Sequence, residues 1–445
     1  MDQSFSTANL RRIWDSQTRK GHDLLNFYPD VRQAYENLRQ GRKDNRASVA
    51  PVVFIADGSV VPGPDVDELK RTAESKLTEA LSTSSETLIA EVESGAFDWG
   101  LHAVPSKTSR LLFGVGKNAS AYFADKQLQR NIAALLPARL SSRQSIISAL
   151  ARTLANDLPK VVVRLDVEAF YDNVDHSILR ERLTGSGLSP TSLGLIGQLL
   201  DQMARITGTS RGLPAGIGLS AKLAEFYLCE LDTTLRDAIG IQFYARYVDD
   251  IVLVKGISDS KTNDGPGLIS WVAFELQKVG LTLNAAKRDT RELSASKELS
   301  AFEFLGYSIA YKSPAMKVDL TDARHQAIKT RIDRTLDAWD RADKTNHGRR
   351  RLLLDRLRFL AGNTRLSNNK RNAMVGIYFS NPHVSSATFV APLDDHLKAR
   401  LAQSSVPPDL QVQVDAISFV SAFERRTVRR FTVRQMLDLR GAWRG

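Results

Sequence analysis

The chain has 445 residues, long enough for two or three domains, and its 42% apolar and 25% charged composition is that of an ordinary globular protein able to bury a sizeable core. Its net charge of +11 suits a polyanionic partner, because lysine and arginine release counterions from a phosphate backbone. One cysteine, Cys229, excludes an internal disulfide framework and a cysteine-based zinc site, which fits a reducing cytoplasm. In the run FYLCEL, Cys229 reads as a small buried hydrophobe.

Residues 1–50 are polar, with a short apolar-periodic stretch from Tyr35 to Leu38, and MDQSFSTANLRR lacks the apolar core of an export signal. PVVFIADG (51–58) reads as a buried strand, followed by turn residues at 60–64. From Val66 to Val92 the spacing of Leu69, Ala73, Leu77 and Leu81 predicts a helix. SRLLFGVGKN (109–118) reads as a strand, a glycine turn and a basic end, and helical patterns follow at 124–136 and 142–157. VVVRLDV (161–167) has the β-branched density of a strand buried on both faces. GLSAKLAEFYLCELDTTL (218–235) predicts a helix, and FYARYVDDIVLV (243–254) a hairpin with Asp249 and Asp250 at its tip. Past about 320 the spacing is helical and the charge strongly positive. There HGRRRLLLDRLRFL (347–360) and FERRTVRRFTVRQML (423–437) read as basic amphipathic helices. No apolar run is long enough for a membrane span, and no internal repeat is evident.

Asp166 ends a buried strand, and the Asp249–Asp250 pair caps a hairpin. A sheet can set a strand end beside a neighbouring hairpin tip. Three carboxylates that close repel one another unless divalent cations intervene. Oxygen-only ligands select magnesium or manganese, and two such ions about 4 Å apart clamp an in-line phosphoryl transfer. Each motif alone is also an ordinary surface turn.

Taken together they are more specific. LDVEAFYDNVDHSIL (165–179), GLPAGIGLSAKLAEFYL (212–228), RYVDDIVLV (246–254), LTLNAAK (281–287) and EFLGYSI (303–309) resemble, in order, motifs A to E of reverse transcriptases. The resemblance implies an α+β right-hand polymerase: an N-terminal extension (1–100), fingers (101–160), an antiparallel palm with fingers elements (161–315) and an α-helical, basic, thumb-like domain (316–445). It implies an enzyme, an RNA-directed DNA polymerase, working with two magnesium ions. Asp166, Asp249 and Asp250 would be the ligands, joined by the backbone carbonyl of Val167. Tyr171 stands where the family carries an aromatic steric gate against the 2′-hydroxyl; of Phe170 and Tyr171, at least one packs as a core aromatic. Lys287 matches the motif D lysine, a candidate proton donor to pyrophosphate that could equally be a solvated helix lysine. Gly212, Pro214 and Gly216 form the motif B turn. Ala215 departs from the common pattern, where many members carry glutamine.

Triphosphate binding also calls for cations. Arg110, Lys117, Arg130 and Arg143 are the candidates, unranked by sequence. Arg349, Arg350, Arg351, Arg425, Arg426, Arg429 and Arg430 are candidates for gripping nucleic acid.

The form of the B motif from Gly212 to Glu225 and the segment GIYFSNP (376–382) resemble bacterial antiviral reverse transcriptases, including those of abortive infection. DQSFS (2–6) and RKG (19–21) further suggest the two-polymerase defence systems. This implies an RNA template, in particular a dedicated non-coding RNA, with deoxynucleotides as substrates and DNA as product. A partner reverse transcriptase or a second copy of the chain is a further implied partner. The polymerase of an intron, a retron or a diversity-generating element is an alternative. So are a template-independent nucleotidyl transferase and a catalytically silent RNA-binding scaffold. No endonuclease, integrase or ribonuclease H signature accompanies the motifs, and the seven histidines form no zinc pattern.

Overall fold

The computed structural model describes residues 2–47, 65–105, 111–137, 142–257, 264–293, 296–366 and 373–441. The chain forms two compact units: Met1–Pro137 with Ala169–Cys229, and Ala138–Glu168 with Glu230–Gly445. The strand expected at 51–58 and Arg110 lie outside the described residues.

The first unit is mostly helical. Its longest helix, Val66–Glu93, starts where the Asp65 carboxylate accepts from the N–H groups of Asp67 and Glu68 at 2.9 and 3.0 Å. Ala73, Leu77, Leu81, Ser85 and Leu88 form its buried stripe, the face expected from the periodicity. A short hairpin joins β1 (His102–Val104) to β2 (Leu112–Gly114) in antiparallel register. Helix Ala119–Ala133 follows, capped by the Asn118 side chain on the Ala121 N–H. Its buried Asp125 accepts from the Leu219 N–H at 3.0 Å and from Gln129 at 2.7 Å. That bond caps helix Gly218–Tyr227, whose own N-cap position, Ile217, has no side-chain acceptor.

The single helix expected at 218–235 is two, Gly218–Tyr227 and Cys229–Arg236, broken at Leu228. The break coincides with the boundary between the units. Cys229 is accordingly half-buried rather than a core residue.

The second unit is built on an antiparallel sheet. Its strands are β3 (Lys160–Asp166), β4 (Ile241–Tyr247), β5 (Asp250–Gly256) and β6 (Asp289–Leu293), in the order β4-β5-β3-β6. Central β3 is buried along almost its whole length, as its run of valines predicts. A second antiparallel sheet takes β7 (Glu298–Phe304), β8 (Tyr307–Lys312) and β9 (Ala315–Leu320) in order. Val162, Val252 and Val254 of the first sheet share one core with Phe304, Tyr307 and Ile309 of the second. The same core takes Leu336 and Leu357 from helices Asp322–Asp340 and His347–Ala361.

The C-terminal part is not purely helical. β10 (Asn363–Arg365), β11 (Met374–Gly376) and β12 (Val428–Arg430) make a small sheet in the order β11-β10-β12. The basic helix expected at 423–437 is therefore overturned. Helix Phe419–Arg425 stops at Arg426, which takes the left-handed conformation (φ 53°). β12 then pairs parallel to β10, and a new helix, Val433–Arg440, starts at the Thr432 cap. The Asn363 amide donates to the carbonyls of Ala422 and Thr427 at 3.0 and 3.3 Å, which holds the chain reversal. A left-handed residue and a strand ladder override the amphipathic spacing.

Candidate active site

The three candidate carboxylates are placed by strand register. β3 and β5 pair so that Asp166 lies directly opposite Asp250. The turn between β4 and β5 is two residues long, because Tyr247 pairs with Asp250. Val248 takes φ 61° there, a conformation costly for a β-branched residue. It is held by Arg246, which donates from Nη1 to the Val248 carbonyl at 2.8 Å. The Asp249 carbonyl accepts from the Val167 N–H at 3.0 Å, so strand end and hairpin tip are fastened to each other. The sequence thus brings Asp166, Val167, Asp249 and Asp250 together.

Motif D closes the other side of β3. Val167 forms a bridge to Leu283, and the Asn284 N–H donates to the Asp166 carbonyl at 2.8 Å. The Asn284 amide donates to Asp166 Oδ2 at 3.2 Å, and Lys287 Nζ to Oδ1 at 2.9 Å. Asp166 is almost fully buried, whereas Lys287 is half in solvent. The Asp166 carboxylate raises the Lys287 pKa, so the ammonium stays charged through neutral pH. Arg164, two residues before Asp166 and so on the same face of β3, donates to Asp250 Oδ1 at 3.3 Å. Burial pushes the Asp250 pKa up; Arg164 opposes it, and the charges of Asp249 and Asp166 reinforce it.

Sequence reasoning missed Asn284, Arg164 and Arg246. Arg164 carried a legible signal, as the one cation within the run VVVRLDV. Asn284 sat unremarked within LTLNAAK. Nothing local marked Arg246, whose partner Asp232 lies in a preceding helix.

Among the described residues no group of three or more His, Cys, Asp or Glu side chains stands arranged to hold a metal ion. The donor chemistry nonetheless fits a hard divalent cation: opposed carboxylates whose oxygens are engaged by Lys287 and Arg164, two cations held against the excess negative charge.

The other predicted residues fall in both units. In the first, Phe170 is buried and Tyr171 half-buried, their rings edge to face at 5.7 Å. The Tyr171 carbonyl accepts from the Leu213 N–H at 2.8 Å, which ties motif A's continuation to the motif B turn. Gly212 (φ 95°) donates to the Val174 carbonyl at 2.8 Å, and its own carbonyl lies 2.7 Å from His176 Nε2. Pro214 is buried, and the Ala215 carbonyl accepts from the Phe113 N–H of β2 at 2.7 Å. Gly216 has φ 106°, and a Cβ there would meet the Phe113 carbonyl at 2.8 Å.

Lys117 and Arg130 are exposed at the two ends of helix Ala119–Ala133, so that helix does not bring them together. Arg143 opens a helix of the second unit, its guanidinium 5.4 Å from the Tyr307 ring and 3.4 Å from the Ser380 carbonyl.

The seven C-terminal arginines also divide. Arg350 pairs with Asp409, Arg351 with Asp355 at 3.8 Å, and Arg426 lies over the Tyr378 ring at 4.4 Å. The side chains of Arg349, Arg425, Arg429 and Arg430 are exposed and make no hydrogen bond or ion pair among the described residues.

Residues 117–309 match the family described as "Reverse transcriptase (RNA-dependent DNA polymerase)". That segment is similar to this family and makes up under half of the chain. No curated protein matches the chain. Among solved structures it is similar to apo telomerase from Candida Tropicalis truncated from its C-terminal domain, with 14% identity and a TM-score of 0.36. That similarity covers 49% of this chain and 54% of the telomerase chain, so the chain spans about half of that relative. No helix among the described residues is long and apolar enough to cross a membrane.

Proposed function

We propose that the chain is an RNA-directed DNA polymerase that joins deoxynucleotides at the Asp166–Asp249–Asp250 site. The observation that carries this is the register placing Asp166 opposite Asp250, with the Asp249 carbonyl fastened to Val167, inside the segment that matches reverse transcriptases. Asp166, Asp249, Asp250 and the Val167 carbonyl would hold magnesium, or manganese in its place. Bound there, the ions would supply Lewis-acid stabilisation of the charge that develops on phosphoryl oxygens.

The remaining roles belong to the chain's own groups. Lys287, charged at neutral pH, balances Asp166 and is the candidate donor of a proton to the leaving pyrophosphate. Asn284 orients the Asp166 carboxylate through Oδ2. Tyr171 is assigned to exclude the 2′-hydroxyl, with Phe170 packed behind it. Gly212, Pro214, Ala215 and Gly216 shape the backbone for the incoming nucleotide. Lys117, Arg130 and Arg143, with Arg110, are assigned to its phosphates. The domain assignment is an extension to residue 100, fingers to 160, palm to 315 and thumb beyond.

The biological reading is bacterial anti-phage defence, in the cytoplasm, on a dedicated non-coding RNA, alongside a partner polymerase or a second copy. The form of motif B and the GIYFSNP segment support it. Purified protein with magnesium, deoxynucleotides and co-purifying RNA is expected to make DNA. Asp249→Ala should abolish synthesis, and undiminished product from the folded variant would remove the assignment. Tyr171→Ala in the same assay should admit ribonucleotides. Product formed without template would favour a template-independent transferase, the reading that Ala215 keeps in play.

A further inference from the structure

The GIYFSNP segment carries none of the residues assigned to the site above, although Arg143 reaches its Ser380 carbonyl at 3.4 Å, and its structure shows what it builds. Gly376 (φ 133°) begins it, and a Cβ there would fall 2.3 Å from the Gly362 carbonyl oxygen and 2.5 Å from Asn363 Cα. Only glycine lets β11 close this tightly on β10. Ser380 Oγ then accepts from the Gly376 N–H at 3.1 Å, and the Asn381 amide donates to the Ile377 carbonyl at 2.9 Å. The segment is thereby held as a rigid wall. Behind it, against helices Asp322–Asp340 and His347–Ala361, lies a cavity of about 340 Å³.

The chemistry of the lining is lopsided. Arg324 and Arg331 contribute two guanidiniums, and no lining residue is acidic. Arg324 donates to Asn381 Oδ1 at 2.9 Å and to the Gly306 carbonyl at 3.5 Å and lies 5.2 Å from the Tyr307 ring, and among the described residues no carboxylate pairs with it. Its pKa is pushed down by burial and by the nearby Arg143. Thr364, which also lines the cavity, is only 2% exposed, and its Oγ1 has no hydrogen-bond partner among the described residues. A buried hydroxyl left unpaired is destabilising and is rare without a reason. Ser380 and Asn381 add two uncharged polar side chains, and most of the remaining lining is apolar, including Phe359 and Leu360.

We propose that this cavity binds a nucleotide bearing a terminal phosphate, with the phosphate on Arg324 and Arg331, the Thr364 hydroxyl as a further donor, and Phe359 against the base or sugar. A terminal phosphate carries close to two charges at neutral pH, which two unbalanced guanidiniums complement. The volume, at the small end of ligand cavities, suits one nucleotide and not a duplex. The occupant is either the 5′-phosphorylated end of a strand or a free nucleoside monophosphate. The phosphomonoester is common to both. This site is separate from the carboxylate site, and its test needs neither metal nor deoxynucleotides.

The experiment compares binding of a short oligoribonucleotide with a 5′-phosphate, the same strand with a 5′-hydroxyl, and AMP, all in EDTA. The phosphorylated strand is expected to bind about tenfold tighter than its hydroxyl twin. If the twins bind equally but AMP binds, the free mononucleotide is the ligand. Equal binding of the twins with no binding of AMP overturns the proposal. Arg324 also supports Asn381, so its loss could unfold the wall. The deciding variants are therefore Arg331→Gln and Thr364→Val, singly and together. Both should remove the preference for phosphate. Thr364→Val should at the same time raise the stability of the ligand-free protein, because it deletes an unpaired buried hydroxyl. A phosphate preference that survives the double variant places the site elsewhere and also overturns the proposal.

Discussion

Arg246 and Asp232 are joined by two parallel hydrogen bonds of 2.7 Å, Nε to Oδ1 and Nη2 to Oδ2, with side chains 0% and 3% exposed. The Tyr244 hydroxyl donates to the same Oδ1 at 2.5 Å. The third guanidinium nitrogen, Nη1, reaches the Val248 carbonyl at the turn that carries Asp249. The pair therefore fixes the hairpin turn that carries Asp249. Asp232→Ala would leave a buried guanidinium without its counter-charge, which costs about 3–5 kcal/mol. A urea titration of the variant is expected to show that loss, and DNA synthesis should fall with it. A loss under about 1 kcal/mol would mean that Arg246 finds water or another acceptor.

The motif B turn makes a second, steric prediction. Gly216→Ala would force a Cβ to 2.8 Å from the Phe113 carbonyl at a positive φ. Both effects push apart the Ala215–Phe113 hydrogen bond that joins this turn to β2. The expected cost is about 1–3 kcal/mol in stability, with a larger fall in nucleotide incorporation. Gly194→Ala is the control. Gly194 lies inside helix Pro190–Thr207 with nothing within 4 Å of the added Cβ, and the change should stabilise by about 0.5–1 kcal/mol. Matching behaviour of the two variants would sink the steric argument.

The parts of this molecule that the sequence disclosed are those where local pattern and tertiary structure agree. Val161, Val162 and Val163 announce β3 because a strand buried on both faces needs little else. Leu77, Leu81 and Leu88 announce their helix because its buried face repeats with the helical period. The opposition of Asp166 and Asp250 was accessible only through the motif order, since register is a property of two strands. Asn284 and Arg246 were illegible for the same reason: each acts on a residue remote in sequence or through a backbone carbonyl. At 423–437 the amphipathic spacing misled, because β12 is recruited by β10, some 65 residues earlier in the numbering, a partner no local window contains.

His325 provides a titration in the C-terminal helices. Its ring stacks on Phe389 at 6.1 Å with 15° between planes, and its buried Nε2 has no hydrogen-bond partner among the described residues. Burial lowers its pKa, against the weaker pull of Asp322. A depressed histidine pKa means that the folded protein prefers the neutral ring. The stability this provides is complete above the ordinary histidine value of about 6.5 and is lost as pH falls through it towards the depressed value. The urea midpoint should therefore drop on acidification through that window. His325→Phe should flatten the drop, leaving the part owed to His383, which burial also depresses. An unchanged slope in His325→Phe would show that the ring is not desolvated in solution.

The last prediction concerns the seven arginines expected to grip nucleic acid. The fold gives three of them other work. Arg350 and Arg351 pair with Asp409 and Asp355, and Arg426 covers Tyr378 while ending a helix in the left-handed conformation. Arg349, Arg425, Arg429 and Arg430 keep exposed guanidiniums with no partner among the described residues. Arg425 and Arg429 line one cavity together with Arg358, whose pKa is lowered by burial and then by the charge of Arg429. Asp355 offsets part of this charge on Arg358, but the cavity lining itself holds no acid among the described residues, and like charges held together there are relieved by a phosphate. Each phosphate contact removed should reduce the salt slope of RNA binding by roughly 0.7–0.9 of a unit. Arg425→Ala with Arg429→Ala should therefore lower the slope by up to about two such steps. Arg350→Ala with Arg351→Ala should leave the slope nearly unchanged, and Arg426→Ala should act on stability instead. RNA titrations across a salt series, run on variants of confirmed fold, read both effects. An unchanged slope for the Arg425 and Arg429 double variant would move the nucleic acid off this face of the C-terminal sheet.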